Sequence, residues 1–195
     1  MSRPDIGLYQ TKFAARRLLE GLPGIARLEP NAVSIASIAP SALAAVALAN
    51  GWWIVVPLGI AGRMVLTTLD GLIAEKYDKA SRVGAYVNRL PAEIGDVLIL
   101  LALFAHADPL WAGLVIAGTW LVNVLGVLGL VAGGSTQSVG PAGQTDRLAF
   151  VAVAAIVAAV TPVDWTIVCQ ILVALMAVAI VLRISRTIRE LRHAP

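Results

Sequence analysis

Asp70 and Gly71 close a long apolar run, and Ala74, Gly84, Asn88 and Glu93 follow at short intervals. A carboxylate at the end of an otherwise apolar helix is costly to desolvate, so it either serves a ligand or solvates the helix end. Beside a glycine, which admits a ligand or another backbone at close range, Asp70 reads as a ligand to a divalent cation or to the cation side of a pyrophosphate. Thr67 and Asn88 each offer a neutral oxygen that Mg2+ accepts, but neither supplies charge. The metal-binding candidates are therefore Asp70, Thr67 and Asn88, and the catalytic candidates are Asp70, Asn88 and Glu93. A single Asp does little to offset the repulsion between two adjacent dications, so Mg2+ or Mn2+ is expected as one ion or none. Gly71, Ala74 and Gly84 have two readings, clearance for a substrate and tight packing of membrane helices. Glu93 also has two: an ion pair with Arg89 one turn earlier, or a turn toward Asp70 that adds charge there.

A second cluster lies in the Gly-rich stretch GGSTQSVGPAGQTDRLAF, residues 133–150. Arg147 at the start of the following helix, with the free amides before it, suits a phosphate group. The alternative is a flexible loop with a cationic anchor residue. Cys169 stands alone inside an apolar run, and His106 and His193 lie outside the runs and form no ligand set. No phosphate-binding loop, Ser-His-Asp set or nucleic-acid module is present, so no nucleic-acid partner is expected.

Composition tells which solvent the positioning elements meet. Of the 195 residues, 58% are hydrophobic and 14% charged, against roughly 25% charged in a soluble domain. A membrane span takes about 20 mostly apolar residues, and six runs are candidates: 32–49, 52–74, 84–105, 110–131, 147–162 and 165–184. The fifth run is short, ends at Pro162, and either crosses or forms half of a tight hairpin with the sixth. Backbone cannot face lipid unpaired, so the expected fold class is all-α integral membrane, a six-transmembrane-helix bundle without sheet. Before it, Phe13 and Leu19 share one face of a helical repeat while Lys12, Arg16 and Arg17 take the other. That pattern predicts an amphipathic interfacial helix within residues 1–30, with a solvated basic tail as the alternative. Met1 to Leu28 has no apolar core of signal-peptide length, so the first span is expected to direct insertion.

Lys and Arg collect before the first run, around residues 76–89, at Arg147 and at the C-terminal end, whereas the connections at 50–51, 106–109 and 161–164 have none. Loops rich in these residues stay cytoplasmic, so both termini are expected in the cytoplasm of a cell (inner) membrane protein. The net charge of +3 needs no further explanation. Trp52, Trp53, Trp111 and Trp165 each begin a run on the charge-poor side, where indole rings favour the interface, while Trp120 in mid-run reads as packing. The organisation predicted is an interfacial segment 1–30, a membrane domain 31–187 and a basic cytoplasmic tail 188–195.

The segment LTTLDGLIAEKYDKASRVGAYVNRLPAEIGD, residues 66–96, resembles the motif of the CDP-alcohol phosphatidyltransferase family, D-x-x-D-G-x-x-A-R-x8-G-x-x-x-D-x-x-x-D, without a gap. Asp70, Gly71, Ala74 and Gly84 match it. Thr67 stands at the first aspartate, Glu75 at the arginine, Asn88 at the third aspartate and Ala92 at the fourth, where the family's general base would lie. Relatives also show Gly-Pro followed by Gly-Lys-x-Asp-Arg, met here by Gly140-Pro141 and Gly143 to Arg147 with Gln144 for the lysine. The resemblance implies a six-helix membrane domain, divalent metal beside a CDP-linked lipid, an alcohol acceptor, membrane lipids around it and a homodimer. It also implies substrate contacts from Gly71, Ala74, Gly84 and Arg147.

If Asp70 and Asn88 are level, as the resemblance implies, helix rise sets the depth of two further charges. Arg63 lies about 10 Å before Asp70 and Asp96 about 12 Å after Asn88. Each is expensive alone in lipid, so Arg63 and Asp96 are expected to form a buried ion pair. The competing reading has Asp96 swing up to replace the missing base. Three functions stand at this point: a transferase releasing CMP, an inactive lipid-binding or partner-binding relative, and, with fewest polar residues to support it, a small transporter.

Overall fold

The computed structural model describes Leu19 and residues 24–192. Most of the expected interfacial helix, and His193, lie outside the described residues. Among the described residues there is no strand.

The first helix, α1 (Pro30–Ala36), opens with proline at its first position after extended Glu29, where the missing N–H costs nothing. A break at Ser37 separates it from α2 (Ile38–Ala49). Pro40 explains the break, because it has no N–H for the carbonyl one turn earlier. Serine hydroxyls take up carbonyls along this stretch, Ser37 Oγ donating to Ser34 O at 2.6 Å and Ser41 Oγ to Ser37 O at 2.8 Å. The remaining helices are α3 (Val55–Lys76), α4 (Arg82–Leu101), α5 (Pro109–Val131), α6 (Gln144–Ala158) and α7 (Trp165–Arg192). Helix starts carry the expected caps: Ser81 accepts from Gly84 N at 2.9 Å, Asp108 from Leu110 N at 3.0 Å and Asp164 from Thr166 N at 2.8 Å.

Among the described residues, four stretches are long and apolar enough to cross a membrane: Pro30–Ala49, Val55–Lys76, Pro109–Val131 and Trp165–Arg192. The chain is thus an all-helical integral membrane protein. The other two runs are also helices of the bundle, but α4 carries Arg82, Arg89, Glu93 and Asp96, and α6 has 15 residues. Helix α6 packs chiefly on α3 rather than on α7, while α2 lies against α3 and α4, and α5 against α7. Gly59 sets the α2–α3 approach, since a methyl there would come within 2.8 Å of Ala44 Cβ and the Pro40 carbonyl.

One end of the bundle is aromatic. Trp53 stacks on Trp165 at 5.3 Å and meets His106 at 5.0 Å, and His106 Nε2 reaches the Leu48 carbonyl at 2.8 Å. This gathers the three charge-poor connections. At the 77–81 turn, Lys79 Nζ donates to the carbonyls of Ala26 and Leu28 and to Glu29, at 2.9 to 3.1 Å.

Candidate functional site

Asp70 sits near the end of α3, 1% exposed, with Oδ2 accepting from Ser34 Oγ of α1 at 2.5 Å and Oδ1 held by the Gly71 amide. Gly71 faces open space: a methyl built there meets nothing within 4 Å. Packing therefore does not require this glycine. Gly84 differs, because a methyl would come 2.9 Å from Ser81 Oγ and 3.3 Å from Asn31 Oδ1. It belongs to the helix cap and the contact with α1. Ala74, Thr67 and Asn88 are half-buried, Glu75 is exposed, and the Thr67 hydroxyl is turned to the Met64 carbonyl at 3.2 Å.

Farther along α4, charge is concentrated. Arg63 Nη2 of α3 lies 2.6 Å from Asp96 Oδ1, and Arg147 Nη2 of α6 lies 3.2 Å from Asp96 Oδ2. Arg63 and Asp96 are 2% and 1% exposed, so two guanidiniums share one buried carboxylate. Gln144 Nε2 adds a bond to Asp96 Oδ2 at 3.1 Å. The Ala92 carbonyl accepts from Arg63 at 2.6 Å and from Gln144 at 3.4 Å. Arg147 also donates to Ala142 O at 2.8 Å and Asn123 Oδ1 at 3.4 Å. Glu93 is drawn into the same network, accepting from Arg89 Nε at 3.0 Å and Asn123 Nδ2 at 2.6 Å. It is tied to α5 rather than turned toward Asp70. The network joins α3, α4, α5 and α6, and such a buried set resists loss of any member because an unpaired charge is left behind.

The geometry resolves the candidates into two groups. Asp70 is tied to Ser34, and Gly71 beside it faces open space. Arg147, Glu93, Arg63 and Asp96 form one polar cluster. Sequence reasoning passed over Ser34, Gly95 and Asn123. Ser34 belongs to a polar series with Ser37 and Ser41, and Asn123 interrupts an apolar run, so both carried a visible signal. Gly95 carried none, yet a methyl there would lie 2.5 Å from Ser41 Oγ and 2.8 Å from Arg63 Nε.

Two cavities flank these groups. One of about 640 Å³ opens between α4 and α5, with Arg89, Glu93, Asp96 and Asn123 on its polar wall and Leu100 and Trp120 among its apolar lining. Another of about 570 Å³ lies between the 132–143 loop and α7 and includes Ser135, Arg186, Arg189 and Glu190. The loop is fixed there by Gln137 Nε2 on Glu190 at 2.6 Å and by Arg183 Nε on Val139 O at 3.2 Å.

A resident two-ion centre does not fit these residues. Among the described residues no three His, Cys, Asp or Glu side chains come together where they could hold a metal ion. The carbonyl of Ala92 is met by N–H donors, which repel a cation.

No family model matches the sequence, and no curated protein does. Solved structures do match, among them three of the phosphatidylinositol phosphate synthase of Mycobacterium tuberculosis. The form with CDP-DAG bound aligns with a TM-score of 0.68 at 20% identity, covering 95% of this chain and 94% of that one. The chain has that fold. The same synthase in complex with manganese and citrate gives 0.73 at 18% identity over 91% and 88%. Its apo form gives 0.66 at 20% over 93% and 96%. The similarity runs nearly end to end in both chains, so Asp70 and the Asp96 cluster both belong to the shared bundle.

Proposed function

We propose that this chain is a membrane phosphotransferase of phospholipid synthesis. It would move a phosphatidyl or similar phospho-group from a CDP-linked lipid to an alcohol, with release of CMP. The new bond joins the alcohol oxygen to phosphorus, the bond from that phosphorus to CMP breaks, and the hydroxyl proton leaves with solvent or a base. One observation carries the reading: the buried Asp70 carboxylate beside the clear flank of Gly71, on a fold that in one solved relative holds CDP-DAG.

In this reading Asp70 and Gly71 face the pyrophosphate, with Ala74, Thr67 and Asn88 bordering it. Arg147 contributes positive charge from within the Asp96 network, and Glu93 supports it through Asn123. At most one Mg2+ or Mn2+ would accompany the ligand. All six apolar runs cross the inner membrane with both termini cytoplasmic, residues 1–30 lie on the membrane surface, and the chain works as a homodimer. The orientation rests on the distribution of Lys and Arg, the surface segment on its amphipathic pattern, and the homodimer on the family resemblance.

A second reading has one specific observation behind it. Position 92 is alanine, which accepts no proton, and its carbonyl is occupied by Arg63 and Gln144. The chain then binds a CDP-linked lipid, or a partner, without turning the lipid over. Purified protein with CDP-diacylglycerol, Mg2+ or Mn2+ and a panel of alcohols separates the two. Release of CMP that is lost in Asp70→Asn is the expected result. Absence of release with every alcohol, with ligand binding retained, establishes the second reading.

A further inference from the structure

The cavity of about 570 Å³ between the 132–143 loop and α7 shares no lining residue with Asp70 or the Asp96 cluster. Ser185, Arg186 and Arg189 line it from α7, and Ser135 and Glu190 close it toward the loop. Glu190 is the single acid in the lining, and its carboxylate is turned to the loop, accepting from Ser135 Oγ at 2.9 Å and Gln137 Nε2 at 2.6 Å. Arg186 and Arg189 are exposed and make no ion pair or hydrogen bond among the described residues. Two guanidiniums thus share one cavity without a carboxylate partner. The apolar run that begins at Trp165 ends at residue 184, about 30 Å along the helix, so Ser185 opens the first turn beyond the hydrocarbon. Earlier on the helix, Ile171, Val178 and Leu182 are 43%, 50% and 42% exposed. Steps of seven residues carry that face from Ile171 through Val178 to Ser185, and from Leu182 to Arg189. An apolar strip therefore runs into a cationic pocket on one helix face, which matches a phospholipid rather than a free phosphate.

We propose that this pocket binds the phosphate of one anionic membrane lipid per chain, with the lipid's acyl chains along the face of Ile171, Val178 and Leu182. Arg186 and Arg189 hold the phosphate oxygens through charge-assisted hydrogen bonds. Ser185 offers a hydroxyl beside them, and Glu190 stays with the loop. A zwitterionic lipid brings its own cation toward the arginines and binds less well. The site does not depend on the CDP-lipid reading, because it uses none of the residues around Asp70.

Native mass spectrometry of the detergent-purified full chain with added lipid counts what it retains. One phosphatidylglycerol per chain is expected, held about tenfold more tightly than phosphatidylcholine with the same acyl chains. A cation beside an anionic headgroup contributes about fivefold, so Arg186→Gln and Arg189→Gln should each weaken retention by that factor and the double variant about 25-fold. Both side chains are exposed, so these variants keep the fold, with melting temperature as the check. Arg192→Gln removes one charge a turn farther along and outside the lining, and should cost less than about twofold because exposed charges are screened with distance. Equal retention of the two lipids overturns the proposal, as does a loss in Arg192→Gln as large as in Arg186→Gln or Arg189→Gln. Glycerol phosphate at millimolar concentration tests the other source of the same group. It is expected to leave the lipid in place, and displacement that depends on Arg186 and Arg189 makes the ligand a soluble phosphate ester and refutes the lipid. Asp70→Asn is expected to retain phosphatidylglycerol as wild type does. A loss there puts the lipid beside Asp70 and refutes the separate site, whereas absence of CMP release or CDP-diacylglycerol binding bears only on the CDP-lipid reading.

Discussion

Asp70 and Asp96 are equally buried, each 1% exposed, but their surroundings differ. Asp96 is held by two guanidiniums and an amide from two other helices. Asp70 is met by a serine hydroxyl and by the amide of the next residue, a glycine whose flank is clear. Both cost free energy to bury. The Asp96 arrangement returns that cost as a tie between helices, whereas Asp70 is followed by a glycine beside which a methyl would meet nothing within 4 Å. The same side chain thus serves assembly in one place and, in our reading, recognition in the other.

Mutations can break this contrast. The largest effect is expected from Asp96→Ala, which strands two buried guanidiniums and should cost about 3 to 5 kcal/mol, read as a fall in melting temperature in detergent. Asp96→Asn keeps the shape and one accepting oxygen but sets an NH2 against N–H donors; it should cost less than alanine, though an unchanged melting temperature would deny the network its structural role. Gly95→Ala forces a methyl against Ser41 and Arg63, and overpacking of this kind costs about 1 to 3 kcal/mol. Gly71→Ala should go the other way, stabilising by roughly 0.5 to 1 kcal/mol because a helical glycine is replaced in open space. It should also weaken CDP-diacylglycerol binding, and a variant that is both more stable and fully competent to bind would remove Gly71 from the site. The smallest effect is expected at Arg89→Ala, where a pair with Glu93 on the helix surface is worth about 0.3 to 0.5 kcal/mol.

Much of the arrangement was legible because lipid restricts what a sequence can do. The six apolar runs fall on helices of the bundle whose starts lie within a few residues of the expected limits, since Pro30, Ser81, Asp108 and Asp164 punctuate them in recognisable ways, whereas α7 continues to Arg192, eight residues past the expected end. Crossing itself is a separate matter, and among the described residues four stretches qualify by length and composition. Helix rise put Arg63 and Asp96 at a common depth, and the structure has them 2.6 Å apart. Arg147 joining that pair was not legible. Its distance along the chain gives no depth once the Gly-rich loop intervenes, and phosphate binding was the simpler use for an arginine at a helix start. Of the two readings of Glu93, the pair with Arg89 is the one the structure has, at 3.0 Å, while the added bond from Asn123 on α5 had no local signal. The role of Gly95 depends on what passes in front of it, which no local pattern records.

Helix α6 has 15 residues, so it is about 22 Å long, while the hydrocarbon of a typical bilayer is about 30 Å thick. If its far end is level with the aromatic layer of Trp53 and Trp165, its first residue begins well below the headgroups. Were α6 to cross, the bilayer would have to thin or admit water over Gln144, and the thickness of the surrounding lipid would set how much of that thinning is needed.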